Sequence, residues 1–342
     1  MPNRGDRSFV TKKDDVLMIT EIAENFYRLT LPMPFRLRHV HVYALLAGCD
    51  VLLFDTGMAM PGAFEKLETD LRGIGVSVAS VRKIYLTHVH TDHCGMTALL
   101  QEKSKASLYL TETAHRVHAY FQEGKDLIAK ARSVYARHGM PARDVEAVVE
   151  EIEDMRSRIP LFADATFLQE GDVHRFGNRS FEVMSTPGHA AGHVCFFFRE
   201  EGLLLAGDHV LPYIVPSLGP ALDDETFQPL PNYLKSLSVI ETLPVETVHP
   251  GHGNAFSGLA DRICEIRAHH ALKKEILQKS IGREPKTTFD ICAQLTGPAA
   301  TGWDDWEKFM ALNDTYVYLQ ALKNEEAVRE TMDHGRLYYT SV

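Results

Sequence analysis

The apolar positions of this chain fall into two periods. Short runs, Phe26-Tyr27-Arg28-Leu29-Thr30-Leu31, His41-Val42-Tyr43-Ala44-Leu45-Leu46 and Val51-Leu52-Leu53-Phe54, read as strands, with turn signals at Gly48 and Gly57. Together they predict a meandering sheet. Lys83-Ile84-Tyr85-Leu86, Ser107-Leu108-Tyr109-Leu110, Phe181-Glu182-Val183-Met184-Ser185, Leu203-Leu204-Leu205-Ala206 and Val245-Glu246-Thr247-Val248 read as further extended segments. Residues 63–74, 95–102 and 233–243 carry helical spacing instead. Strands alternating with helices predict an α/β fold.

From 112 to 158 the pattern becomes charged and helix-favouring, broken by Gly139-Met140-Pro141. It reads as an inserted helical hairpin, serving either as scaffold or dimer contact, or as a substrate lid. After Gly251-His252-Gly253, residues 260–280 form a long helical pattern, and 287–295 and 306–324 add two helices. Ala327-Val328-Arg329-Glu330 and Arg336-Leu337-Tyr338-Tyr339-Thr340 then flank Asp333-His334-Gly335 as a β-hairpin. The expected division is a large unit over residues 1–258, with its insertion at about 112–158, and a small unit over 259–342.

A length of 342 residues with 45% hydrophobic content supports that larger core and a smaller companion. The net charge of −10 argues against general affinity for nucleic acid or anionic membrane, either of which needs a basic surface. Met1 to Arg7 and Lys12-Lys13-Asp14-Asp15 lack the apolar core of a signal peptide, and no apolar run is long enough to cross a bilayer. A cytoplasmic location is the expectation. Five scattered cysteines, Cys49, Cys94, Cys195, Cys264 and Cys292, without a CxxC pair, read as reduced thiols.

The strongest chemical signal lies just behind the strand-like run at 83–86. His88-Val89-His90-Thr91-Asp92-His93 packs three imidazoles and a carboxylate into one loop. Imidazole suits zinc and similar ions, and carboxylate tolerates harder ones such as manganese. If the chain stays extended, His88 and His90 point to one side, and a turn at Thr91-Asp92 brings Asp92 and His93 to a neighbouring position. The loop can therefore feed two adjacent ions. Downstream, other strand-like runs end at His189, Asp208 and His252, each beside a glycine. Cys94 adjoins the loop and is read as a small residue packing beneath it.

On these residues the chain resembles a hydrolase of the metallo-β-lactamase superfamily, closest to its glyoxalase-II-like branch, where the order is HxHxDH, then His, Asp and His. The resemblance covers about the first three quarters of the chain and all seven ligand positions. It implies an αββα metallo-β-lactamase sandwich and two divalent metal ions, zinc first, with iron or manganese as alternatives. By the same resemblance His88, His90 and His189 hold the first ion, Asp92, His93 and His252 the second, and Asp208 bridges both. Asp55, just before Thr56-Gly57, is implied to brace the metal loop from behind. The pattern leaves no ligand vacancy for His193 or His249, so both are read as supporting imidazoles.

Helices followed by a hairpin also resemble the winged-helix tail of some of these hydrolases. Residues 258–342 carry 11 Lys+Arg against 13 Asp+Glu, so the tail is not basic. Phe309, Met310, Tyr316 and Leu319 give its last helix an apolar set suited to packing or to a homodimer contact rather than nucleic acid. The expected activity is hydrolysis of a small-molecule carboxylic ester, thioester or lactone by a metal-bridging hydroxide, with Asp92 and Asp208 as its catalytic carboxylates. No Gly-x-Ser-x-Gly elbow suggests a serine nucleophile. The alternatives are a phosphodiesterase or ribonuclease, a mononuclear iron sulfur dioxygenase, and a non-catalytic metal-stabilised interaction module. A diiron flavin-linked reductase is disfavoured because that branch replaces the second histidine of the motif, here His90, with glutamate.

Overall fold

The computed structural model describes residues 19–34, 37–157, 161, 162, 164–297 and 304–342. The N-terminal segment discussed above, and Arg158 at the end of the insertion, lie outside them. One sheet takes its strands in sequence order: β1 (Ile19–Ala23), β2 (Phe26–Pro32), β3 (His39–Ala47), β4 (Asp50–Phe54), β5 (Val81–Tyr85), β6 (Ser107–Thr111) and β7 (Ala165–Leu168). The first four form the expected antiparallel meander, and β4 to β7 run parallel. The second sheet, in order β12-β11-β10-β9-β8, comprises β8 (Val173–Phe176), β9 (Arg179–Ser185), β10 (Val194–Phe198), β11 (Leu203–Gly207) and β12 (Thr247–Pro250).

Side-chain alternation divides the strand residues between layers. Leu52 and Phe54 of β4, Phe196 and Phe198 of β10, and Leu203 and Leu205 of β11 fill the core between the sheets. Their neighbours Val51 and Leu53 face helices α1 (Ala63–Gly73) and α3 (Thr97–Ser104), with the single turn α2 (Thr91–Cys94) just before α3. Being buried on both faces, these strands read as continuous apolar runs rather than as alternation. This is the αββα sandwich of the metallo-β-lactamase fold.

The insertion corrects the expectation of a hairpin, because it forms three helices: α4 (Glu112–Glu123), α5 (Lys125–Arg137) and α6 (Ala142–Ser157). Gly124, at φ +72°, ends α4 and restarts the chain as α5. On the outer face of the second sheet lie α7 (Pro229–Glu241) and α8 (Leu259–Ile281), followed by α9 (Thr288–Thr296), α10 (Asp305–Asn324) and the hairpin of β13 (Val328–Asp333) and β14 (Arg336–Ser341). Ile263 and Ile266 of α8 share one core with Phe197 and Tyr233 on one side and Tyr318 and Tyr339 on the other.

The insertion packs onto this C-terminal segment rather than standing free. Leu127, Tyr135, Val145 and Ile152 form a cluster with Cys292 of α9 and Leu312 of α10. His138 O accepts from Phe289 N at 3.0 Å, and His138 Nδ1 lies 2.8 Å from Thr288 Oγ1.

β1, β7 and β8 escape the apolar pattern because they are short and largely solvated at the sheet margins; Phe167 and Val173 are exposed. β12 begins two residues later than expected, since Glu246 N and Thr247 N bond to Gly202 O in a turn.

The ring of Phe54 meets Phe26, Tyr85, Phe181, Phe196 and Phe198 at centroid distances of 4.9 to 6.1 Å. Phe54→Ala should therefore lower stability by about 3–5 kcal/mol. A urea midpoint unchanged from wild type would contradict the central place given to this ring.

Candidate metal centre

Both sheets deliver reactive side chains at one edge. β4 and β5 are parallel, so Asp55 and the loop through His93 leave from the same end. In the other sheet β9 and β11 both oppose β10, and β12 parallels β11, so His189, Asp208 and His252 likewise follow strand carboxyl ends. Cross-links draw the two edges together. Val194 N donates to Thr87 O and His41 N to Gly251 O, each at 2.8 Å. Tyr43 OH donates to Pro250 O and His41 Nε2 to Gly253 O, each at 2.7 Å.

The seven expected ligands meet there. His88, His90 and His189 offer ligand atoms within 4.8 Å of one another, as do Asp92, His93 and His252, and as do His88, His93 and Asp208. Asp208 reaches both of the first two sets: its Oδ2 lies 3.7 Å from His189 Nε2 and 3.4 Å from His252 Nε2, and its Oδ1 lies 3.4 Å from His93 Nε2. His88 and His93 are fully buried, whereas His90 is exposed and Asp92 partly so, which marks the open side.

Four of the five rings, all but His90, are aimed by the nitrogen that faces away from the centre. His93 Nδ1 donates to Asp55 Oδ2 at 2.8 Å, His189 Nδ1 to Ser217 O at 2.7 Å, and His252 Nδ1 to His39 O at 2.8 Å. Those acceptors carry no hydrogen, so the proton sits on Nδ1 and Nε2 turns its lone pair inward. Thr87 Oγ1 donates to Asp55 Oδ2 at 2.8 Å and accepts from His88 Nδ1 at 3.0 Å. Asp55 also takes Thr87 N at 2.8 Å and holds a left-handed backbone, φ +59°. His93 Nε2, His189 Nε2 and Asp208 Oδ1 are buried without a hydrogen-bond partner. Inward lone pairs on buried imidazole and carboxylate, without a hydrogen-bond partner in the protein, are a donor set that fits divalent cations.

The electrostatics of the centre are lopsided. Burial, reinforced by His93 and His90, pushes the His88 pKa well below the usual histidine value, and burial lowers that of His189. Burial would also lower His93 and His252, but the carboxylates, Asp208 foremost, override it. They hold His93 well above its ordinary value and His252 at about 10. In return, and against burial, His93 and His252 lower Asp92 to about 2, and His252 and His93 hold Asp208 well below the carboxylate range. The side formed by Asp92, His93 and His252 thus demands positive charge, which protons on Nε2 or cations in their place can supply.

The remaining sequence candidates take supporting positions. His193 accepts from Asp208 N at 3.2 Å through Nε2 and pairs Nδ1 with Thr186 Oγ1 at 2.8 Å, so it fixes the backbone of Asp208. His249 lies against the Tyr43 ring. Cys94 is buried and points Sγ at Val89 O. Sequence reasoning missed the Ser217 and His39 carbonyls, which have no side-chain signature. It also missed Gly251, where a Cβ would lie 2.5 Å from Asp208 Oδ1 and 2.6 Å from His93 Cε1. The glycine between His249-Pro250 and His252 was the available clue.

A family model described as the metallo-beta-lactamase superfamily matches residues 36–252, well over half of the chain. The chain is 24% identical over 328 residues to a probable metallo-hydrolase of Bacillus subtilis, covering 94% of this chain and 99% of that protein. It is 27% identical over 222 residues to an acyl-coenzyme A thioesterase of Gallus gallus, covering 63% of this chain and 71% of the other. Among solved structures, a metallo-beta-lactamase family protein from Thermus thermophilus superposes with a TM-score of 0.82 at 28% identity, over 94% of this chain and 100% of its own.

Removing the acceptor behind His93 tests the aiming scheme. Asp55→Ala should weaken metal binding about 10- to 100-fold, measured by competition with a chromogenic chelator. Wild-type affinity in a folded variant would show that the ring needs no such support.

Proposed function

Because the chain belongs to the metallo-β-lactamase superfamily, we propose that it is a dinuclear metal-dependent hydrolase of a carboxylic ester, thioester or lactone, closest to the glyoxalase-II-like branch. In this reading His88, His90 and His189 hold one ion, Asp92, His93 and His252 the other, and Asp208 bridges them. The observation that carries it is the reach of the Asp208 carboxylate to histidines of both sets. Five imidazoles against two carboxylates favour zinc over harder ions. The likeness to a named acyl-coenzyme A thioesterase supports the thioester among the three substrate classes.

Two divalent ions would lower the pKa of a shared water towards neutrality and polarise the acyl carbonyl. The protein's own residues supply the rest. Asp208 offsets the charge of both sites, which keeps them close together. Asp92, on the open side, accepts a hydrogen bond from the attacking water and orients it. Asp55, Thr87, Ser217 and His39 keep the rings from turning, so little reorganisation accompanies the reaction. No side-chain nucleophile is required: burial raises the Cys94 and Cys195 thiols, which disfavours their thiolates.

The same reading divides the chain into a catalytic unit over 1–258 and a winged-helix-like unit over 259–342. Its support is the run of helices closed by a hairpin, β13 to β14, with Asp333 paired to Arg336 across a tight turn. The second unit is given a packing role, because Cys292 and Leu312 lie against the insertion.

Asp208→Ala should cost most of the bound metal and bring thioester turnover close to background. His88→Ala and His252→Ala should each lose one ion of a different site. Elemental analysis with a panel of esters, thioesters, lactones and phosphodiesters decides. Full metal content and near-normal turnover in Asp208→Ala would sink the dinuclear assignment, and one shared ion lost from both histidine variants would favour a mononuclear centre.

A further inference from the structure

The segment between Asp208 and Ser217 is fastened to the metal centre at both ends. Asp208 opens it, and Ser217 O closes it by accepting from His189 Nδ1 at 2.7 Å. Val210, Leu211 and Leu218 are buried, and Val215 packs on the same core as Val210 and Leu218. The middle is pinned from α8: Arg262 donates through Nε to Leu211 O and through Nη2 to Ile214 O, each at 2.8 Å. Pro212 and the Tyr213 ring lie against Gly253, the residue after His252, where an added Cβ would come 2.8 Å from Pro212 Cγ and 3.9 Å from Tyr213 Cδ2.

On this rigid arc two large apolar side chains are left in solvent. Tyr213 is 68% exposed and Ile214 42%. Apolar side chains on a backbone held this firmly can receive a ligand without the cost of ordering a loop. The patch is too small for a protein interface of ordinary size. It is also remote from the exposed Leu272 and Ile276 of α8, which lie about 15 and 21 Å further along the helix from Arg262. What adjoins it is Gly253, the residue after the candidate ligand His252, and the arc itself begins at Asp208 and ends at the carbonyl that aims His189.

We infer that Tyr213 and Ile214 form a preformed apolar wall that receives the acyl chain of the substrate, so that the enzyme prefers long, apolar acyl groups over acetyl. The inference rests on the acyl-hydrolase reading above. The wall contributes binding alone, while the carbonyl carbon is presented to the metal side. Its contact is the face of the ring rather than the hydroxyl.

The test compares acetyl, butyryl, octanoyl and dodecanoyl thioesters with metal-loaded wild type, Tyr213→Ala, Ile214→Ala and Tyr213→Phe. Wild-type kcat/KM should rise with chain length. Tyr213→Ala should lose about tenfold or more on dodecanoyl substrate, chiefly through KM, with acetyl turnover and metal content unchanged. Ile214→Ala should show a smaller loss of the same kind, and Tyr213→Phe should restore the preference. A chain-length dependence identical in wild type and Tyr213→Ala overturns the wall.

If wild type hydrolyses none of these substrates, the acyl-hydrolase reading has failed, and calorimetric binding of non-hydrolysable alkyl thioethers still decides. Affinity that increases with chain length in wild type but not in Tyr213→Ala supports the wall, and affinity independent of length overturns it.

Discussion

Everything at the reactive edge depends on one requirement: a buried imidazole presents a lone pair inward only if its opposite nitrogen has a fixed acceptor. His93, His189 and His252 meet it with a carboxylate and two backbone carbonyls, drawn from β4, the arc after β11, and β3. Two of these acceptors belong to main chain, so the aim of the rings is set by the positions of strands and loops rather than by further side chains. Tyr43 and His41, which hold the carbonyls of Pro250 and Gly253, extend the same logic. The fold and the centre are therefore one construction. Shifting a sheet edge by an ångström turns a ring away, and loosening a ring frees a buried polar group that cannot find water.

The central strands were legible in the sequence because both of their faces are buried: Val51-Leu52-Leu53-Phe54 is a continuous apolar run for that reason. The margins were not, since Val173 and Phe167 lie in solvent and impose no pattern. The third helix of the insertion was hidden because only Gly124 separates α4 from α5, and a lone glycine in a helical stretch is weak punctuation. The ligand loop was legible for a chemical reason. Few constraints other than a metal concentrate His88, His90, Asp92 and His93 within six residues. Its supports were only half legible. Asp55 carries a side chain to notice, but Ser217 and His39 act through carbonyls that any residue possesses.

The insertion shows what sequence order conceals. Placed between β6 and β7, it reads as an elaboration near the first ligand loop, and a lid was one natural interpretation. Its apolar face is instead occupied by α9 and α10, through Cys292 and Leu312. Arg116 pairs with Asp223, and Lys130 and Arg137 with Glu225, which fastens the insertion to the loop ahead of α7 as well. A segment held on two sides is a buttress.

That buttress also sets an order of events during synthesis. Ile152 and its neighbours leave the ribosome about 160 residues before Leu312, the side chain that covers them. At ordinary elongation rates the gap is roughly 8 to 30 s. Throughout it the nascent chain carries a helical cluster with one greasy side unclosed, and the first sheet gains its last strand, β7, near the start of that interval. The last helix thus acts as a seal on a surface made long before it, and a transcript that stops short of α10 would yield a chain with its metal-ligand residues present and its sticky side uncovered.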